Sequence, residues 1–187
     1  MRVAVAITGA SGSTYGMRLA EELAKAGVML EIVVSDGAKQ VMDHEEDGGA
    51  AKALAKLKKF GKVYGEDDFS AACASGSSAP DAFVVCPCSM KTLSDIANGY
   101  SKNLIRRGAE VALKEGKLLV LVPREMPFTA IQLENMLKLA RLGVAIMPPQ
   151  PAFYHKPKKI GDAVDFVVGK VMDRIGVKHS LFKRWKA

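Results

Sequence analysis

The chain has 187 residues, with 27 Lys and Arg against 20 Asp and Glu and a net charge of +7. That length suits a single domain over 1–187, with 176–187 as a basic C-terminal tail, and a core that needs neither disulfides nor metals. Three cysteines (Cys73, Cys86 and Cys88) without a C-x-x-C exclude a disulfide framework and argue against zinc, and no window approaches the ~18 apolar residues of a membrane span, so a soluble, cytoplasmic protein is expected. The positive balance asks for an anionic partner: nucleic acid, a phosphate ester, or only solvent around a basic surface.

Val3 to Ile7 is a near-continuous apolar run, the pattern of a buried parallel strand. It breaks into Thr8-Gly9-Ala10-Ser11-Gly12-Ser13, where glycines allow close backbone approach and Thr8, Ser11 and Ser13 add hydroxyls ahead of a helix. This is either a phosphate cradle or a tight turn. The glycines at 9, 12 and 16 do not spell G-x-G-x-x-G, no Gly-Lys-Ser/Thr follows, and Ser13 stands where a nucleophile elbow needs glycine.

Tyr15 to Ala26 has apolar residues at 15, 19, 20, 23 and 24, a helix stopped by Gly27. Glu31 to Val34 is a second strand, and Ser35-Asp36 caps a helix to about His44. Ala50 to Phe60 sets Leu54, Leu57 and Phe60 against lysines at 52, 56, 58 and 59, either a solvated face or a nucleic-acid contact. Val63-Tyr64 is a short strand, and Ser75 to Pro80 a loop.

Ala82 to Cys86 is the next buried strand, running into Pro87-Cys88-Ser89-Met90-Lys91-Thr92 before a helix near Leu93. Asn103 to Glu115 forms a helix ended by Gly116, and Leu118 to Val122 is a strand delivering Pro123-Arg124-Glu125-Met126-Pro127. Thr129 caps a helix through Leu142, Val144 to Met147 is a final strand, and Ile160 to Ile175 is a helix with Ile160, Val164, Val167, Val168 and Val171 inward. The basic tail Lys178 to Lys186 follows, around Trp185.

Apolar strands alternating with helices predict a doubly wound α/β fold, a Rossmann-like three-layer sandwich on a mostly parallel sheet. Ligands of such sheets bind beyond the carboxyl ends of the strands. Those ends carry Gly9 to Ser11, Ser35, Cys88 to Thr92, and Arg124 with Glu125, a donor set suited to an anionic mononucleotide.

Over nearly its whole length the chain resembles the UbiX-type flavin prenyltransferases. The likeness runs through Thr8-Gly9-Ala10-Ser11-Gly12, Ala74 to Pro80, Cys86 to Leu93, Val122 to Pro127 and Met147 to His155. It implies a flavodoxin-like subunit that joins a dimethylallyl unit from dimethylallyl monophosphate to reduced FMN, at flavin N5 and then C6, for a partner UbiD-type decarboxylase. It also implies a large homo-oligomer such as a dodecamer, with no metal, nucleic acid or membrane.

By the same resemblance FMN falls to Gly9, Ala10, Ser11, Ser35, Ser89, Met90, Lys91, Thr92 and Arg124. The prenyl phosphate falls to Arg107, Lys114, Arg124, Tyr154 and Lys170. Ser11, Glu45, Lys114 and Glu125 are the catalytic candidates, while Trp185 and Phe69 wall off the allylic group. Cations replacing a metal agree with the lack of Asp-Asp-x-x-Asp, since Asp67-Asp68 is followed by Phe69-Ser70-Ala71. Three rival readings are weighed: an FMN-dependent cysteine decarboxylase, disfavoured because no Pro-x-Met-Asn is present, a flavin carrier without ring chemistry, disfavoured by the basic charge, and a nucleic-acid binder, for which no aromatic stacking motif is found.

Overall fold

The computed structural model describes residues 1–185; Lys186, at the end of the basic tail, lies outside them. Six parallel strands form one sheet in the order β3-β2-β1-β4-β5-β6. They are β1 (Arg2–Ile7), β2 (Met29–Val34), β3 (Lys62–Gly65), β4 (Ala82–Cys88), β5 (Leu118–Pro123) and β6 (Ala145–Ile146). The central strands are buried on both sides, which is why their sequences read as unbroken apolar runs.

Helices cover both faces. One layer holds α1 (Ser13–Lys25), α2 (Asp36–Glu45), α3 (Gly49–Leu57) and α7 (Ile160–Arg174), packed over Val3, Val5, Ile7, Ile32 and Val84. The other holds α4 (Met90–Ala97), α5 (Leu104–Lys114), α6 (Ala130–Arg141) and the 3-10 turn Ala72–Ala74, packed over Ala4, Ala6, Phe83, Val85 and Leu121. The three-layer architecture expected from the alternation is therefore present.

Four local readings are corrected. Strand β4 does not stop at Cys86, because a register shift between Val85 and Cys88 lets it pass Pro87 and still pair Cys88 with Pro123. Helix α4 starts at Met90, ahead of Leu93, because the Ser89 hydroxyl caps it by accepting Thr92 N. Ile160, expected inward, is 85% exposed. It opens α7 one turn before that helix is clamped to α1 through Arg18 Nε and Asp165 at 2.7 Å. On α3 the buried face is Ala50, Ala53 and Leu57; Leu54, and Phe60 beyond the end of the helix, are only partly covered.

Candidate functional site

Strands β1, β2, β4 and β5 are parallel, so their carboxyl ends bring Gly9 to Ser11, Ser35, Ser89 to Thr92 and Arg124 with Glu125 to one edge. Thr8 ties two of these loops together. Its hydroxyl donates to Pro87 O at 2.9 Å and accepts Ser89 N at 2.8 Å. Ser89 and Ser35 cap α4 and α2, accepting Thr92 N at 3.2 Å and Ala38 N at 3.0 Å. Gly9 meets Gly37 backbone to backbone: a Cβ on Gly9 would lie 3.1 Å from Gly37 Cα. The loops after β1 and β2 therefore approach more closely than a side chain at Gly9 would allow.

Of the two readings of the glycine loop, cradle or tight turn, the amides at 12 and 13 follow the second, being satisfied from within the protein. Glu45, at the end of α2, fills the amide nest at the start of α1, accepting Gly12 N at 2.9 Å and Ser13 N at 2.9 Å. The Ser13 hydroxyl lies 3.0 Å from Glu45 Oε2 and 2.8 Å from Glu46 Oε1, so it and the buried Thr8 are occupied within the protein. Ser11 is the exposed hydroxyl of the loop. Burial alone would raise the Glu45 carboxyl. Hydrogen bonds from the Ser11 hydroxyl, the Ser13 and Gly12 amides and the Ser13 hydroxyl outweigh it and hold the group below the ordinary carboxylate range.

Ser11 opens into a cleft of about 530 Å³ whose lining includes Tyr15, Arg124, Glu125 and Gln150. Pro123, Pro127, Pro148 and Pro149 also line it. Prolines carry no N–H, so this wall offers water few hydrogen bonds. The Glu125 carboxylate accepts the Met126 amide at 3.0 Å. Tyr15, Phe128 and Gln150 join the site only in the structure. The helical period marked Tyr15 only as a core position, although its place three residues after Gly12 was a usable signal.

Other expected site residues do not converge here within one chain. Lys114 ends α5 beside the amino end of β5, paired with Glu115 at 3.2 Å and close to Gly76. The length of β5 separates that end from Arg124, roughly 17 Å at the rise of a strand. Arg107 is turned onto the 3-10 turn, donating to Ala74 O at 3.1 Å and paired with Glu110 at 3.0 Å. Lys91 borders a separate hollow with Asp95, Tyr100, Lys102 and Arg106. Phe69 is half exposed, in the segment after β3.

Tyr154 and Trp185 meet edge to face at 5.4 Å, and Tyr154 packs in the same way on Phe166 of α7 at 5.8 Å. Lys170 stands exposed one turn beyond Phe166. Among the described residues no three metal-ligating side chains come together, and no helix is long and apolar enough to cross a membrane.

Comparison with known proteins identifies the family. A flavoprotein family model matches residues 1–172. The flavin prenyltransferase UbiX of Methanocaldococcus jannaschii is 52% identical over 186 residues, 99% of this chain and 98% of that protein. A dodecameric FMN-dependent UbiX-like decarboxylase from Escherichia coli has 42% identity and a TM-score of 0.93 over 100% of both chains. A UbiX in complex with FMN and dimethylallyl pyrophosphate has 39% identity and a TM-score of 0.94 over 100% of this chain and 97% of its own. Identity of this extent along nearly the whole chain shows that the protein belongs to the flavoprotein family, among its UbiX flavin prenyltransferases.

Proposed function

We propose that the protein joins a dimethylallyl unit from dimethylallyl monophosphate to N5 and C6 of reduced FMN, making prenylated FMN for a UbiD-type decarboxylase. The observation that carries this reading is Ser11, the exposed hydroxyl of a loop pinned by the Glu45 carboxylate at Gly12 N, opening into a cleft that also holds Arg124 and Glu125. The edge suits a flavin: Ser11 offers an exposed hydroxyl and Arg124 an exposed guanidinium to a polar ring and its phosphate tail, with the helix-capping Ser35 and Ser89 and the adjoining Thr92 beside them. Reduced FMN supplies the nucleophilic nitrogen and carbon.

The chain's own groups do the rest. Glu45 holds the Ser11 hydroxyl in orientation and takes up or returns its proton, while Glu125 serves a second proton transfer on the far side of the cleft. As the allylic C–O bond breaks, inorganic phosphate leaves. Arg124, with Lys114, Arg107, Tyr154 and Lys170, stabilises the charge that develops on it. The proline wall and Trp185 keep water from the allylic carbon. Lys114 and Arg107 lie away from the cleft of their own chain, so a neighbouring copy in a homo-oligomer supplies them. Four half-exposed or more exposed apolar residues on α6 and at its C-cap, Ile131, Leu133, Leu137 and Leu142, support such an assembly. The three cysteines are free and buried, in keeping with a reducing cytoplasm.

Anaerobic incubation with reduced FMN and dimethylallyl monophosphate tests the reading. The extracted flavin is expected to gain the mass of one dimethylallyl unit, and Glu125→Gln to lower its yield. Bound flavin of unchanged mass would refute prenyl transfer while leaving the flavin edge in place.

A further inference from the structure

Tyr15 lines the cleft, and the chemistry above gives it no part. It is the third residue of α1, and its amide donates to Gly12 O at 3.0 Å. Helical side chains lean toward the N-terminus, so the ring lies back over that glycine. A Cβ built on Gly12 would stand 2.8 Å from Tyr15 Cδ2 and 3.0 Å from Cε2. Gly12 has φ +99°, so both its conformation and its bareness are needed where the ring sits.

The ring is also held from below. Helix α1 is pressed onto the sheet so tightly that a Cβ on Gly16 would stand 2.2 Å from Cys86 O. Tyr15 packs against the core of one layer and Phe128 against the core of the other, and both border the same cleft. Met126 lines it too but is 88% exposed and free to move aside. Burial, and then the neighbouring Cys86 thiol, raise the Tyr15 phenol, which therefore stays neutral beside an apolar chain.

We infer that the Tyr15 ring is the specificity-determining wall of the cleft, fixing the length of allylic chain at one isoprene unit. A phenol ring is comparable in size to an isoprene unit, so cutting the side chain back to Cβ opens space for about one more unit. The inference rests on the prenyl-transfer reading. Because the ring is fixed by Gly12 and the core, the limit is steric, and Tyr15→Phe keeps it.

Wild type, Tyr15→Phe, Tyr15→Leu and Tyr15→Ala are each given reduced FMN with dimethylallyl or geranyl monophosphate, and kcat/KM for each donor is read from the mass of the extracted flavin. FMN affinity, measured by fluorescence, reports that each variant is folded. Wild type and Tyr15→Phe are expected to share one low geranyl-to-dimethylallyl ratio, strongly favouring dimethylallyl. Tyr15→Ala is expected to shift the geranyl-to-dimethylallyl ratio of kcat/KM by about tenfold or more, with Tyr15→Leu between them. A truncated variant that binds FMN, still uses dimethylallyl and keeps the wild-type ratio overturns the inference alone; Tyr15→Leu decides the matter if Tyr15→Ala does not fold. Wild type that prenylates with neither donor overturns the transferase reading and this inference with it.

Discussion

The Glu45 carboxylate accepts the Gly12 amide at 2.9 Å, closing the start of α1 with the end of α2. A carboxylate at a helix N-terminus is favoured by the aligned peptide dipoles as well as by the bonds themselves. Its net shift is downward, so the sign is fixed. The stability it contributes is present above the ordinary carboxyl value and is lost as pH falls through the lowered folded value. Glu45→Gln is expected to lower stability by about 1 kcal/mol at neutral pH, after allowance for solvent screening. Urea melts of both proteins across the acid range should converge at low pH, and a constant difference would place the effect elsewhere.

Glu45→Gln also tests chemistry separately from folding. A positioned acid or base contributes about a hundredfold or more. Single-turnover yields of prenylated flavin are expected to fall by about that factor, while FMN affinity stays close to wild type. Loss of FMN binding in step with activity would instead make Glu45 a strut for the loop.

Lys114 and Arg124 lie at opposite ends of β5, and that separation makes a complementation experiment decisive. Lys114→Ala and Arg124→Ala are each expected to be nearly inactive. Mixed assemblies, made by co-expression with two different tags, regain a fraction of wild-type activity, because some sites then receive an intact Arg124 from one copy and an intact Lys114 from another. Mixed assemblies as inactive as either parent would require both groups to serve one chain.

The strands were legible because burial on both faces leaves their signature in β-branched and apolar runs such as Val3 to Ile7 and Leu118 to Val122. Their carboxyl ends then follow from parallel topology, and so does the site edge. What stayed hidden was set by tertiary contacts. A proline normally ends a strand, and only the shifted register around Pro87 shows why β4 continues. Thr8, Ser11 and Ser13 look equivalent in sequence, yet Thr8 and Ser13 bond within the protein while Ser11 opens to the cleft. Helical periodicity assigned Tyr15 to the core, and its ring serves both the core and the cleft. Lys114 was placed at the site by family likeness, while the single chain holds it at the far edge.

The C-terminal tail gives a further test. Asp173 accepts both Arg184 amino groups, at 3.0 and 2.6 Å, and shares a hydrogen bond with His179 Nε2 at 3.1 Å. These bonds fold Phe182 onto Phe166 at 4.8 Å and carry Trp185 to Tyr154. The Arg184 hydrogen bonds lower the Asp173 carboxyl, burial opposes them, and the His179 and Arg184 charges assist. The clamp is thus intact above the ordinary aspartate range and released as pH falls through the lowered value. Asp173→Asn is expected to raise KM for dimethylallyl monophosphate severalfold with FMN affinity unchanged. Trp185 is the sole tryptophan, so acrylamide quenching of its fluorescence should increase in the variant, and a wild-type quenching constant would show the tail held by other contacts.

Helix α6 carries the last prediction. Met136 and Leu139 are its buried anchors, yet Leu133 and Leu137 on one flank are 52% and 51% exposed, and Ile131 and the C-cap residue Leu142 on the other are 71% and 62% exposed. Two apolar flanks on one helix exceed what its own core can cover. A polar strip of Glu134, Lys138 and Arg141 runs between them. A charge placed on a flank that meets another copy is buried unpaired there, but in an isolated chain it remains in water at little cost. Leu137→Glu is therefore expected to give a smaller particle by light scattering, with unchanged helix content and reduced activity at low protein concentration. Lys138→Glu, on the polar strip, serves as the control and keeps the wild-type mass. If Leu137→Glu assembles like wild type, α6 is not the contact between copies, and the cations that complete the cleft must arrive across a different face.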